Sequence, residues 1–476
     1  MNFNSIEFVG LCICAMVLLR GSGSRTLRDW CLAGLNIYFV YSFSSGAIPL
    51  IPLLLFVALG YLALWVAKAK QSASALGAML ALLLLLFIWL KGYSFVAPLP
   101  SPSFPIATIG LSYILFRVIH LLVDVAQGAL EVPKPLIYFN YMFFFLTFVS
   151  GPIQRFGEFA EQSTHPIVTK TSVEINSAIR RVIAGFLLIQ LVCSLTATLK
   201  HGLTKHFLLS LEEGAIGRAT VLFAGATFTQ LIHLYANFAG YMSICIGVGL
   251  LVGYSLPENF RSPLRSQNFL DLWSRWHITL SEWFKFYIFN PILRKLVTRW
   301  GSSRGQYLGA MAFFVTFVLM GLWHGSTAVF VFYGLVLGIG VTVNKLWQIE
   351  LARRFGRARY KALCQAQWYR RLSSAAAVSY FAVALTCVWL PDESVPVFAR
   401  SGTAIVIVGA YAILLTSLYM GAWLIDLIIL PVISCVPKFK AGNIARAAVT
   451  AFLFLVLINL LILFGAGAPE FVYKAF

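Results

Sequence analysis

Charged residues are scarce in this sequence, since they make up 11% of its 476 residues, against roughly 25% in an ordinary soluble domain. Hydrophobic residues make up 60% of the chain. Such a chain cannot cover a water-facing surface with polar side chains, which excludes a soluble globular protein. We therefore expect an all-α integral membrane protein, a single polytopic domain over residues 1–476 with about 11 to 13 transmembrane helices.

The apolar runs mostly have the ~17 to 25 residues that a helix needs to cross the hydrocarbon core. No basic residue precedes the first run and no cleavage pattern follows it, so we expect it to remain as a span rather than a signal peptide. The runs lie at about 5–19, 31–46, 49–67, 75–90, 105–126, 178–198, 219–253, 306–323, 327–344, 374–390, 402–434 and 446–466.

Acidic residues and cysteines are few as well. The 17 Asp and Glu residues against 36 Lys and Arg leave a net charge of +19. The eight cysteines match no metal-binding or redox spacing, so we predict neither a disulfide nor a metal site. Because the basic residues crowd into short loops between apolar runs, they indicate cytoplasmic loops rather than a nucleic-acid surface. The basic sets are Arg20–Arg28, Lys68–Lys70, Arg261–Arg304, Lys345–Arg371 and Lys438–Arg446.

Two apolar segments do not fit a topology in which successive helices cross the membrane in alternate directions and both termini lie outside. Residues 135–156 contain a Gly-Pro pair, which is tolerated at membrane depth only where protein or a water-filled cavity supplies hydrogen bonds, so we expect a re-entrant element. Residues 219–253 would be about 52 Å long as a helix, far beyond the ~30 Å core. We expect this helix to break near "YANFAGYMS".

Five of the seven histidines fit structural roles. His120 is expected to form an intrahelical polar ladder with Arg117 and Asp124. His233 is expected to pack with hydrogen bonds to its neighbours at helical spacing, Thr229, Gln230 and Asn237. The other three, expected to be solvated in polar loops, are His165, His201 and His206.

His324 lies in "MGLWHGSTAVF", at the junction of two apolar runs. An ionisable group at membrane depth is costly, which makes function the default hypothesis. An imidazole also suits proton abstraction from a hydroxyl, because its unperturbed pKa is close to 6.5. The alternative is that His324 caps a helix or anchors an interface beside Trp323.

His277 lies in "LWSRWHITLSEWF", which is rich in charge and tryptophan. In one continuous helix Trp273, His277, Leu280 and Phe284 would share a face. This pattern is typical of an interfacial or funnel-lining helix. Taken alone, it favours a structural role.

Taken together, the two motifs, whose histidines are 47 residues apart, resemble the membrane-bound O-acyltransferase superfamily. The chain is most similar to the bacterial branch of the alginate O-acetylation protein and the teichoic acid D-alanyl transferase. The resemblance covers a core at roughly residues 105–347. The supporting stretches are "SGPIQRF" at 150–156, "NFAGYMSICIGVGLLVGYSLPENFRSPL" at 237–264 and "YGLVLGIGVTVNKLW" at 333–347.

The resemblance implies a helical fold that encloses a trans-bilayer tunnel in the bacterial cytoplasmic (inner) membrane. An acyl group of the acetyl or D-alanyl type would pass from a cytoplasmic thioester donor to hydroxyls of an extracytoplasmic envelope polymer. His324 would be the essential histidine and His277 its companion. No bound cofactor is expected, since the thioester of an acyl carrier protein or of coenzyme A is a substrate. The residues expected to bind substrate are Trp323, Trp276, Asn237, Ser243, Ser326 and Arg275, of which Asn237, Ser243 and Ser326 are candidates for stabilising the oxyanion.

The expected partners are membrane lipids, extracytoplasmic envelope-modifying proteins and an acyl carrier protein on the cytoplasmic basic loops. Anionic headgroups alone would also account for those loops. The alternative function is a transporter or flippase of an envelope precursor, without acyl-transfer chemistry. Broken helices and intramembrane polar residues are typical of transporters too, although no inverted repeat is evident in the sequence.

Overall fold

The computed structural model describes residues 6–44, 46–93, 110–164, 171–389 and 402–425. Regular secondary structure in these ranges is helical, apart from one isolated bridge between Phe260 and Trp276, which confirms the all-α class. Contacts divide the chain into two units. Among the described residues, the first comprises those up to Gln190 together with 239–258, and the second comprises 191–238 and those from 259 to 425.

The first unit begins with eight helices, and the second, fourth and eighth of these have side-chain caps at their starts. Ser72 accepts a hydrogen bond from Ala75 N at the start of the fourth, and left-handed Gly92 ends it. Thr171 and Glu174 form a capping box at the eighth. The helices are α1 (Ile6–Gly21), α2 (Arg25–Ser42), α3 (Ile51–Lys70), α4 (Ala73–Lys91), α5 (Leu111–Ala126), α6 (Pro135–Phe143), α7 (Phe156–Thr164) and α8 (Ser172–Leu187).

The second unit holds the remaining described helices, although the last part of α10 belongs to the first unit. One helix, α15, contains a kink at Gly356. The helices are α9 (Ser194–Glu212), α10 (Ile216–Val252), α11 (Phe269–Trp273), α12 (Ile278–Phe284), α13 (Asn290–Trp300), α14 (Gly305–His324), α15 (Ala328–Gln365), α16 (Gln367–Ala384), α17 (Thr386–Trp389) and α18 (Thr403–Leu424).

Within the described residues, eight helices are long and apolar enough to cross a membrane, and the chain is a multi-pass membrane protein. The apolar runs at 5–19 and 105–126 form helices of 16 residues. The run at 446–466 lies outside the described residues, as do His165 and the basic set Lys438–Arg446. The total of 11 to 13 helices therefore stays a prediction. The spans are 48–70, 73–91, 173–212, 216–252, 302–324, 328–365, 367–389 and 403–424.

The predicted break in residues 219–253 is wrong, because α10 runs unbroken for 37 residues. The glycines of this helix are packing sites rather than break points. A Cβ at Gly240 would lie 2.8 Å from Gly185 O, and one at Gly247 would lie 2.9 Å from Ala178 O. Within the most apolar 18-residue window of α10, 78% is buried, so this helix packs mainly against protein.

Residues 135–143 form α6 and residues 144–155 are irregular, so the helix ends at Phe143, well before the Gly-Pro pair where the break was predicted. The fully buried guanidinium of Arg117 donates to the carbonyls of Tyr141 at 2.5 Å, Met142 at 2.7 Å and Thr147 at 2.7 Å. These bonds replace those that the helix gives up, which allows the chain to turn inside protein. Whether the segment enters and leaves on one side of the membrane stays a prediction.

The histidines expected to be structural have specific surroundings. His120 Nδ1 lies 3.5 Å from Asp124 Oδ2, and Phe156 N donates to His120 Nε2 at 3.1 Å. The arginine of the expected ladder instead donates to the carbonyls described above. His201 and His206 are exposed, but on α9 rather than in loops.

Candidate active site

A helical hairpin positions His324 as the last residue of α14. Gly325 is extended, and α15 begins after Thr327. The two helices approach closely at glycines: a Cβ on Gly321 would lie 2.4 Å from Gly334 Cα. Small residues at this crossing let the backbones touch, as is common between membrane helices.

The imidazole of His324 is enclosed by aromatic rings and 9% exposed. Its centroid lies 4.9 Å from the Trp323 ring and 5.8 Å from the Tyr333 ring of α15. Phe330 packs over the turn so closely that a Cβ on Gly325 would lie 2.0 Å from its Cδ2. Trp323 is buried at 6% exposure, and it therefore forms a wall of the histidine's pocket rather than an exposed anchor.

The single helix expected around His277 is wrong, because α11 ends at Trp273 and α12 begins at Ile278. His277 itself has φ +46° and ψ +54°, a left-handed conformation that is uncommon outside glycine. Such strain is maintained only where the surroundings fix the backbone, and it often marks functional sites.

Asn259 supplies much of that fixation. Its carbonyl accepts Ile278 N at 3.0 Å, and its side-chain oxygen accepts Thr279 N at 3.0 Å and Thr279 Oγ1 at 2.9 Å. Two residues further on, Arg261 N donates to Arg275 O at 3.0 Å. The segment after Asn259 therefore holds both flanks of His277.

Aromatic side chains complete the pocket of His277, which is 2% exposed. Its ring lies 4.7 Å from that of Phe238 on α10. Trp276 packs against the rings of Phe260 at 5.2 Å and Phe381 at 5.0 Å. Trp276 therefore holds the irregular segment in place through packing. The sequence predicted substrate binding for this residue, but not this packing role.

The two histidines interact electrostatically within the second unit. Burial lowers the pKa of His277 well below 6.5, and the nearby His324 lowers it further. The imidazole of His277 is thus neutral at pH 7. The structure brings together the two histidines that the sequence motifs singled out, although they lie on separate helical segments.

The other predicted site residues differ in their surroundings. Arg275 Nε donates to Asp271 Oδ1 at 3.0 Å, and this ion pair offsets the charge of the Arg275 guanidinium. Asn237 is 1% exposed, and its side-chain amide lies beside the Cys193 thiol. Within the described residues, this amide forms no hydrogen bond with an oxygen or nitrogen atom. Ser243 is half-buried and belongs to the first unit. Ser326 is half-buried in the turn that follows His324.

His233 is hydrogen-bonded, as predicted, but its partners lie on or next to α9 rather than on its own helix. Its Nδ1 lies 3.0 Å from Thr196 Oγ1 and 3.2 Å from Cys193 O. Thr229 and Gln230, the expected neighbours, are buried on α10. His233 therefore links α9 to α10.

Sequence reasoning missed Asn259, Phe238 and Tyr333 as site residues. All three fall inside the stretches that carry the resemblance, which was their only signal. Phe238 and Asn259 lie far along the chain from the His277 segment that they contact, so no local pattern predicts them, and Tyr333 reaches His324 from the next helix.

Comparison with known proteins identifies the family of the chain. The model of the membrane-bound O-acyltransferase family matches residues 37–386, most of the chain. The chain belongs to this family. The matched region includes the whole of the core expected at 105–347 and extends beyond it on both sides.

Curated relatives fall into two groups. The chain is 28% identical over 301 residues to the teichoic acid D-alanyltransferase of Bacillus subtilis, covering 61% of this chain and 72% of the relative. The chain is 28% identical to the enzyme of the same name from Streptococcus thermophilus, covering 50% of this chain and 57% of the relative. The chain is 29% identical to the probable alginate O-acetylase AlgI of Pseudomonas fluorescens, covering 50% of this chain and 44% of the relative.

Proposed function

We propose that this family member transfers an acyl group from a cytoplasmic thioester to a hydroxyl of an extracytoplasmic envelope polymer in the bacterial inner membrane. The observation that carries the proposal is the pair of buried, electrostatically coupled imidazoles of His277 and His324. Buried ionisable groups in a membrane protein are costly without a function. The names of the relatives, a D-alanyltransferase and an O-acetylase, support acyl groups of either type.

In the proposed reaction His324 is the general base. Its neutral imidazole takes the proton from the acceptor hydroxyl as that oxygen attacks the thioester carbonyl carbon. A new C–O bond forms and the C–S bond breaks. The imidazolium then returns the proton to the leaving thiolate, so the histidine is regenerated and no metal or bound cofactor takes part.

His277 and Asn237 are proposed to assist from the donor side. Because burial keeps the imidazole of His277 neutral, this ring can donate or accept a hydrogen bond without carrying a charge. The amide of Asn237, buried next to Phe238, is suited to donate to the developing oxyanion. Ser326 is a second proposed donor, since it follows His324 in the turn.

The donor is proposed to approach through the basic cytoplasmic segment. Exposed basic side chains of α13 include Arg294, Lys295 and Arg299. Such a surface would steer an acidic acyl carrier protein, with an association that weakens as salt rises. Extracytoplasmic envelope-modifying proteins are the proposed partners on the acceptor side.

The proposed function is tested by replacing His324 with Ala and measuring the acyl esters of the purified envelope polymer. We expect ester formation to fall at least about 100-fold, the usual contribution of a general base. The matched control is His201→Ala, because this exposed histidine lies on α9 in the same unit and its loss should change nothing. Wild-type ester levels in cells that contain normal amounts of the His324→Ala protein would reject acyl transfer by this residue and favour the transporter.

A further inference from the structure

A cavity of 410 Å³ lies within the second unit, among α11, α15, α16 and α18. It has no part in the proposed reaction. Ile339, Val343 and Leu372 form an apolar wall, while Gln348, Tyr360 and Arg370 supply polar groups. The cavity is thus amphipathic.

The kink in α15 brings two parts of this helix to the cavity. Gly356 has φ +76° and ψ +155°, which only glycine adopts readily. The helix therefore changes direction at this point. Val343 and Gln348 before the kink and Tyr360 and Cys364 after it all line the same cavity.

The apolar wall is exposed. Ile339 is 51% exposed, Val343 59% and Trp347 55%. These residues lie on α15, which is long and apolar enough to span the membrane. In such a helix, large exposed apolar side chains face lipid tails, so the cavity is accessible to an acyl chain.

The segment that supplies the polar end is strongly basic. Residues 345–371 contain eight Lys and Arg and a single acidic residue, Glu350. Glu350 is already paired with Arg353 at 2.9 Å and with Arg354 at 2.5 Å. Arg370 lines the cavity and is exposed, which favours an anionic group beside it.

We propose that this cavity binds an anionic phospholipid. The phosphate lies against Arg370, with Gln348 and Tyr360 as hydrogen-bonding partners. One acyl chain lies along Ile339 and Val343. A zwitterionic lipid also has a phosphate, but its ammonium group is repelled by the basic residues of 345–371. Free phosphate satisfies the arginine but not the wall.

The test uses the purified full-length protein in a neutral detergent, with bound lipid counted by native mass spectrometry. We expect phosphatidylglycerol to bind more tightly than phosphatidylcholine. Arg370→Gln should weaken phosphatidylglycerol roughly fivefold, the value of one basic residue near a headgroup. Ala376→Phe, which fills the cavity, should weaken both lipids. The control Arg353→Gln removes the same charge outside the cavity and should change binding less than twofold.

Three outcomes would overturn the proposal. Equal loss in Arg353→Gln and Arg370→Gln would indicate diffuse surface charge. Unchanged binding in Ala376→Phe, with thermal stability as in the wild type, would locate the lipid elsewhere. Inorganic phosphate that binds as tightly as phosphatidylglycerol, and equally in the wild type and Ala376→Phe, would indicate a site for a soluble anion.

Discussion

The two histidines are held in opposite ways. His324 ends a regular helix of 20 residues, and its position depends on how closely two backbones approach. His277 lies between helices of 5 and 7 residues, and its left-handed backbone depends on individual hydrogen bonds to Asn259. Added volume should therefore damage the first site, whereas the loss of single polar groups should damage the second.

The largest effect is expected for Gly321→Ala. Its new Cβ would lie 2.4 Å from Gly334 Cα, so the hairpin must open, at a cost of roughly 1 to 3 kcal/mol. Thermal unfolding in detergent and ester formation should both show the loss. Gly309→Ala in the same helix is the matched control, since nothing lies within 4 Å of its Cβ. Equal effects of the two changes would contradict close approach as the basis of the site.

A similar effect on stability, but a more selective one on activity, is expected for Asn259→Ala. The buried Thr279 N loses its acceptor, which costs about 1 to 3 kcal/mol, and His277 is free to leave its strained conformation. We expect ester formation to fall about tenfold, in the range of a misplaced catalytic group.

The control for this change is Asn268→Ala, which removes the bond from Asp271 N that begins α11 at a cost of about 1 kcal/mol. It should lower stability while leaving most of the activity. Parallel losses of activity in both variants would mean that the bonds of Asn259 serve general stability.

The last effect concerns the pH dependence of stability. The pKa of His277 is lowered by burial in the folded protein but is near 6.5 in the unfolded chain. Below pH 6.5 the unfolded state therefore binds the extra proton, and stability falls by up to about 1.4 kcal/mol per pH unit until the folded pKa is reached.

Thermal unfolding between pH 7.5 and 5 should therefore show this loss in the wild type and less of it in His277→Gln. His201→Gln, which changes an exposed histidine, should retain the wild-type slope. A slope unchanged by His277→Gln would mean that this imidazole titrates alike in both states.

The same contrast explains what the sequence could predict. The fold class and the two histidine motifs were accessible, because hydropathy is a local property and the motifs are short. The interruption before His277 was not, because its cause is Asn259, 18 residues earlier in the chain. The continuity of α10 was missed for a similar reason. A glycine such as Gly240 can interrupt a helix or serve as a packing site within it, and which of these occurs depends on whether a partner such as Gly185 lies against it.

The most direct test of the account asks whether reactants on opposite faces meet at His324. Purified protein in sealed vesicles receives a labelled thioester donor on one side and a soluble hydroxyl acceptor on the other. We expect labelled ester on the acceptor side with the wild type and none with His324→Gln. Ester that forms only after detergent opens the vesicles, or forms equally with His324→Gln, would contradict transfer across the membrane at this histidine.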